Sequence, residues 1–163
     1  MIFLAVGTQF PFDRLVKTLD DCLDEGLIEE EIFGQIGDTS YRPRHFKSTA
    51  FLDKKEFDDK IKESSAVIAH AGIGIIRTAL EFNKSLLVMP RLRKYQEVVH
   101  DHQVAFARKF EELGHILAAY KEQDLPEKVR ELKNFVPQKR QIQVGAVVQR
   151  ISEFLQQSND HKH

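Results

Sequence analysis

The chain has 163 residues, with 42% hydrophobic and 30% charged residues, the balance of an ordinary soluble globule and enough length for one domain with a real core. Basic residues number 24 against 25 acidic, a formal net charge of −1, so composition gives no electrostatic case for nucleic acid as a partner. No apolar run approaches the roughly 18 residues of a membrane-spanning helix, and the chain opens on a strand pattern rather than a signal peptide, which leads us to expect a cytoplasmic protein. A single cysteine, Cys22, excludes an internal disulfide.

Residues 2–6 (IFLAV) form an apolar strand that ends in Gly7, Thr8 and Gln9. A helix follows, with Phe12, Leu15, Val16, Leu19, Cys22 and Leu23 at helical spacing; Cys22 on that face reads as a buried structural thiol. Residues 31–36 (EIFGQI) read as a second strand. The basic loop 37–47 carries Tyr41, Arg42, Arg44 and His45, which suit either a solvated connection or contact with a base, a phosphate or a lipid headgroup. Residues 49–52 are expected to be the third strand, and Asp53 with Glu56 predicts a capping box for a helix carrying Phe57 and Ile61.

Residues 66–103 form the organising βαβ unit. Ala66, Val67, Ile68 and Ala69, and then Leu86, Leu87, Val88 and Met89, are unbroken apolar runs of the kind a parallel strand covered on both faces requires. Between them Ile75, Ile76, Ala79, Leu80 and Phe82 supply the stripe of a covering helix. The turn His70, Ala71, Gly72, Ile73, Gly74 therefore lies at a strand's carboxyl end and a helix's amino end, where free N–H groups and the helix dipole favour an anion.

The polar loop after Pro90 brings Arg91, Tyr95, Gln96, Glu97, His100, Asp101, His102 and Gln103 to the same sheet edge. A helix through Val104, Phe106, Ala107 and Phe110 stops at Gly114, and residues 115–119 read as the last strand. Asp124 and Glu127 predict another capping box, with Pro126 in its first turn. A final helix is expected over about 139–155, before a polar tail at 156–163 containing His161 and His163. Alternating strands and helices, with no internal repeat or linker, predict a single doubly wound, Rossmann-like α/β domain with a parallel sheet.

A dinucleotide fingerprint fails at the turn, because Gly72 and Gly74 lack the third glycine and the next strand ends in Met89 and Pro90 rather than an acid. A P-loop fails for want of its Gly-Lys-Ser/Thr. What remains is a diphosphate site backed by His70, or a structural turn with a satisfied imidazole; at the neighbouring loop a metal held by His100, Asp101 and His102 competes with a hydroxyl-rich ligand.

Taken together, VGTQ at 6–9, QIGDTSYRP at 35–43, HAGIG at 70–74, ALE at 79–81, VMPR at 88–91 and EVVHDHQ at 97–103 resemble the carboxyl-terminal domain of glycosyltransferase family 28, in its small stand-alone form. That form is the soluble subunit of bacterial two-component exopolysaccharide transferases and of the enzyme adding the second N-acetylglucosamine to dolichyl diphosphate. The resemblance implies one half of a GT-B fold, a nucleotide-sugar-binding domain over 1–155 followed by the tail at 156–163. It implies UDP-sugar as donor, no metal or other cofactor, and a membrane-anchored partner subunit that brings the lipid-linked acceptor and holds the complex at the inner membrane face. Carried over by position, His70, as the catalytic residue, holds the diphosphate with Gly72, Gly74 and the N–H of Ile75. Gly7, Thr8 and Gln9 face the diphosphate or the partner cleft. His102 and Gln103 hydrogen-bond sugar hydroxyls, with Arg91 and Glu97 nearby. The chain departs from the family at Ile75, where a hydroxyl residue is common, and at Thr78, where a ribose-binding Glu is; Glu81, one turn on, is the expected substitute.

Overall fold

The computed structural model describes residues 1–138 and 149–153. Six strands, β1 (Ile2–Ala5), β2 (Ile32–Gln35), β3 (Lys47–Thr49), β4 (Ala66–His70), β5 (Leu86–Met89) and β6 (Leu117–Ala118), form one fully parallel sheet in the order β3-β2-β1-β4-β5-β6. Helices α1 (Asp13–Asp24), α2 (Lys54–Glu63), α3 (Ile73–Glu81), α4 (His102–Glu112) and α5 (Leu125–Leu132) connect and cover it.

The two-residue alternation of each strand sorts its side chains between two cores. Ile2, Leu4 and Val6 of the first strand segment, with Ile68, Leu87 and Met89, pack on one face against α1 and α5 through Leu15, Leu19, Val129 and Leu132. Phe3, Ala5, Val67, Ala69 and Val88 pack on the other against Ile61 of α2, Ile76 and Ala79 of α3 and Phe110 of α4. Both faces are covered, which is why the central strands read as continuous apolar runs. Cys22 is buried and unpaired on α1, and burial raises its thiol pKa, as a structural thiol requires.

Three expectations shift. The third strand lies at Lys47–Thr49, in register with Phe33, Gly34 and Gln35, not at 49–52. It is an exposed edge strand with no apolar run to mark it, whereas residues 50–52 lead into α2, held by Leu52 N–H donating to Gln35 Oε1 at 2.9 Å. The Asp53–Glu56 capping box forms as expected, but Asp124 does not cap α5: its carboxylate accepts from Lys121 N–H instead, closing a short 3-10 turn at Glu122–Asp124. His102 and Gln103 belong to the first turn of α4 rather than to a loop. Of the expected terminal helix, residues 149–153 are helical and Ile151 packs on the second core; its remaining stretches, 139–148 and 154–155, and the tail 156–163 lie outside the described residues.

Candidate functional site

The strand order makes the site. From β1 the chain moves through α1 to β2, and from β3 it crosses through α2 to β4 on the other side of β1, so the carboxyl ends of β1 and β4 adjoin where the winding reverses. Parallel sheets of this kind open a crevice at that point. Here it measures about 730 Å³ and is walled by the loop after β1, the turn after β4 and the start of α2.

His70 ends β4 with its ring between two glycines. A Cβ at Gly72 would stand 2.4 Å from His70 Nε2, and one at Gly7 would stand 2.8 Å from Cε1. Both glycines are therefore required by the imidazole itself. Gly74 differs, because nothing lies within 4 Å of a Cβ there and its backbone faces open space in the crevice wall. Gly72 is the N-cap of α3 and supplies no side-chain acceptor, so the first N–H groups of that helix have no intrahelical partner, and the helix bonds begin with Ile76 N–H to Gly72 O.

Nδ1 of His70 lies 3.4 Å from the Ala5 carbonyl, an acceptor, which sets the tautomer with the proton on Nδ1. Burial, and then the nearby Arg91 charge, push the imidazole pKa down from 6.5 to about 4. At neutral pH His70 is uncharged. It offers a phosphate no formal positive charge.

Gln103 staples the crevice. Its Oε1 accepts from Ala71 N–H and Arg91 N–H, both at 3.1 Å, tying the turn after β4 to the segment after β5. Two donors fix that atom as the oxygen, so the NH2 is the end left for a ligand. Arg91 is 2% exposed, and its guanidinium donates to the Phe10 carbonyl at 2.5 Å. Burial lowers its pKa to about 10, against the pull of Glu97, and it stays charged.

Gly7, Thr8, Gln9, His70, Gly72, Gly74, Ile75, Thr78, Arg91 and Gln103 all line the crevice. Three expected residues do not. Glu97 is buried and gives both carboxylate oxygens to Arg14, at 2.8 and 2.9 Å, and accepts from Leu92 N–H; it braces the loop. Glu81 pairs with Arg77 on the exposed face of α3. His102 stacks on His100, their centroids 5.4 Å apart, and among the described residues no cluster of three potential ligands could hold a metal. Thr78 lines the crevice, but its hydroxyl donates back to Gly74 O. The loop 37–47 contributes nothing to the wall: Asp20 accepts from Tyr41 Oη and from the N–H groups of Arg44 and His45. Burial opposes ionisation of that carboxyl, yet these donors hold it below the usual range.

The wall residues that the sequence did not mark include Phe10, Gln35, Leu52, Asp53, Lys54, Phe57 and Val98. The signal for Leu52, Asp53, Lys54 and Phe57 was the Asp53–Glu56 capping box, which marks a helix start on the same sheet edge.

The model of the glycosyltransferase family 28 C-terminal domain matches residues 1–157. The chain belongs to glycosyltransferase family 28. Over 123 residues it is 31% identical to the UDP-N-acetylglucosamine transferase subunit ALG13 of Mus musculus, covering 70% of this chain and 10% of that protein. Over 52 residues it is 44% identical to the same-named subunit of Candida glabrata, covering 32% and 24%. The chain thus spans a quarter or less of these curated relatives. The NMR solution structure of ALG13 superposes with a TM-score of 0.56 at 21% identity, over 83% of this chain and 87% of that one. MurG of Acinetobacter baumannii gives 0.63 at 17% identity, over 93% of this chain but 49% of its own. The family 28 chain has the fold of one half of such GT-B glycosyltransferases. Among its described residues no helix is long and apolar enough to cross a membrane.

Proposed function

We propose that this chain is the donor-binding subunit of a two-component inverting glycosyltransferase, taking a UDP-sugar in the crevice between β1 and β4. The observation that carries this reading is the uncapped start of α3 beside Gly74, where free N–H groups and open space coincide at the switch point. That the relatives are UDP-N-acetylglucosamine transferase subunits supports a hexose or N-acetylhexosamine donor.

In the transfer an acceptor hydroxyl attacks the anomeric carbon, and the bond to the diphosphate breaks as negative charge builds on the leaving phosphate. Fixed N–H dipoles at the α3 start stabilise that charge without reorganising. In this reading the NH2 of Gln103 donates to the sugar. A base must take the acceptor proton, and the crevice offers little: His70 titrates near pH 4, and Asp53 caps α2. A membrane-anchored partner subunit then supplies the base and a polyprenyl-diphosphate-linked acceptor, as in exopolysaccharide or capsule synthesis, and brings this chain from the cytoplasm to the inner membrane face. No metal or cofactor enters the reading.

A second reading makes the chain a docking or activating subunit that does not hold the donor tightly. It is favoured by one observation: α3 presents no free carboxylate to a ribose, since Thr78 bonds to Gly74 O and Glu81 to Arg77. Titration of isotope-labelled protein with a UDP-sugar separates the two. Donor binding predicts saturable amide shifts at Gly74 and Ile75 and at the Gln103 side chain, while a docking subunit leaves them unmoved. The isolated chain is expected to transfer no sugar, and full-rate transfer without a partner contradicts the division of labour.

A further inference from the structure

Two guanidinium groups pack over the buried ring of Phe12, with Cζ of Arg14 5.3 Å and Cζ of Arg91 5.1 Å from its centroid. Beside them lies one buried carboxylate, Glu97, and Arg14 occupies both of its oxygens. Arg14 also donates to the Pro90 carbonyl and stands 3.8 Å from Glu122. Arg91 has no such company. Among the described residues no carboxylate lies within ion-pair distance of it, its guanidinium hydrogen bond goes to the Phe10 carbonyl, and its buried Nε has no partner at all.

The cluster therefore sets two guanidinium groups against one buried carboxylate, and the second carboxylate, the partly exposed Glu122, reaches only Arg14, so Arg91 is the cation left without a partner. An uncompensated internal charge is strongly unfavourable, and so is a buried donor left unmade. The imbalance lies in the crevice wall. Arg91 Nη1 and His70 Cε1 flank the same point, 3.5 and 2.8 Å from a Cβ placed on Gly7, and the His70 ring continues to Gly72 at the start of α3. Guanidinium, imidazole and helix start form one continuous surface.

We propose that Arg91 is the counter-charge of the crevice, binding the diphosphate of a nucleotide whose phosphates also meet the α3 N–H groups. This deepens the donor reading and rests on it for the nucleotide, but the anion site stands on the charge imbalance alone. A guanidinium suits the task because it spreads one charge over several N–H groups: Nη2 holds the Phe10 carbonyl while Nη1 stands beside Gly7 for a phosphate oxygen. The same group holds the loop 7–10 through Phe10, so anion and loop share one cation. Affinity should accordingly follow charge, with UDP above UMP and UMP above uridine.

The test titrates the full chain and its Arg91→Gln variant with UDP, uridine and inorganic pyrophosphate. UDP and pyrophosphate are expected to bind wild type and to lose at least tenfold in affinity in the variant, with uridine little changed. The wild-type Arg91 Nε–H resonance should shift with the same saturation curve as the Gly74 amide, a readout that a purely structural arginine would not give and that decides the matter if the variant fails to fold. Pyrophosphate binding that depends on Arg91, without a further gain for UDP, sustains the anion site and removes the nucleotide reading. UDP binding within twofold in the folded variant, or an unmoved Nε–H signal, overturns the assignment of Arg91 and leaves the donor reading standing. Failure of wild type to bind either anion overturns both.

Discussion

Gly72 and Gly74 are two residues apart and do different work. Gly72 has ordinary helix-entry dihedrals, so a methyl group there is opposed only by the His70 ring, which cannot retreat because Gly7 backs it. Gly72→Ala should destabilise the fold by roughly 1–3 kcal/mol, as overpacking does, and adding His70→Ala should recover most of that loss in a denaturant double-mutant cycle. Gly74→Ala meets nothing and gains helix propensity, so stability should hold or rise by up to about 1 kcal/mol while UDP affinity falls. His70 carries a further prediction. Its folded pKa of about 4 lies below the 6.5 of the unfolded chain, so its contribution is intact above pH 6.5 and is lost as pH falls towards 4. Relative to a His70→Asn variant, wild type should lose about 3 kcal/mol more across that window, read from urea melts at each pH. A parallel decline in both proteins would contradict the burial of a neutral imidazole.

Among elements, the segment between β5 and α4 is ordered by a brace from α1. Arg14 and Glu97, 83 positions apart, meet with two hydrogen bonds in a nearly dry setting. Removing one partner leaves a buried charge, so Glu97→Ala should cost about 3–5 kcal/mol, and Arg14→Ala combined with it should cost much less than the sum. Equal and additive losses in chemical denaturation would show that the pair is not coupled. This brace also explains what the sequence could not display: hydrophobic periodicity reports the faces of helices and strands, not which acid a distant arginine will find. Glu97 looked like a ligand because its loop reaches the right edge. The edge strand β3, with the sequence KST and a mostly exposed surface, was illegible for a related reason, since it has no buried face to imprint a pattern. By contrast Ala66 to Ala69 and Leu86 to Met89 were legible because helices cover them on both sides.

At the scale of the whole molecule, the order β3-β2-β1-β4-β5-β6 turns a run of local patterns into one crevice. The parallel sheet and the convergence of residues 7–9, 70–75, 91 and 103 followed from strand and helix alternation together with the family resemblance. Lys54, Phe57 and Gln35 did not, because their place in the wall depends on how β2 and β3 end relative to β1, a register that alternation does not encode. Whether this crevice grips a nucleotide diphosphate is decided by a crystal structure of the chain grown with UDP. Phosphate oxygens are expected within hydrogen-bond distance of the Gly74 and Ile75 N–H groups; an empty crevice at saturating UDP, or UDP bound elsewhere on the chain, would rule the proposal out.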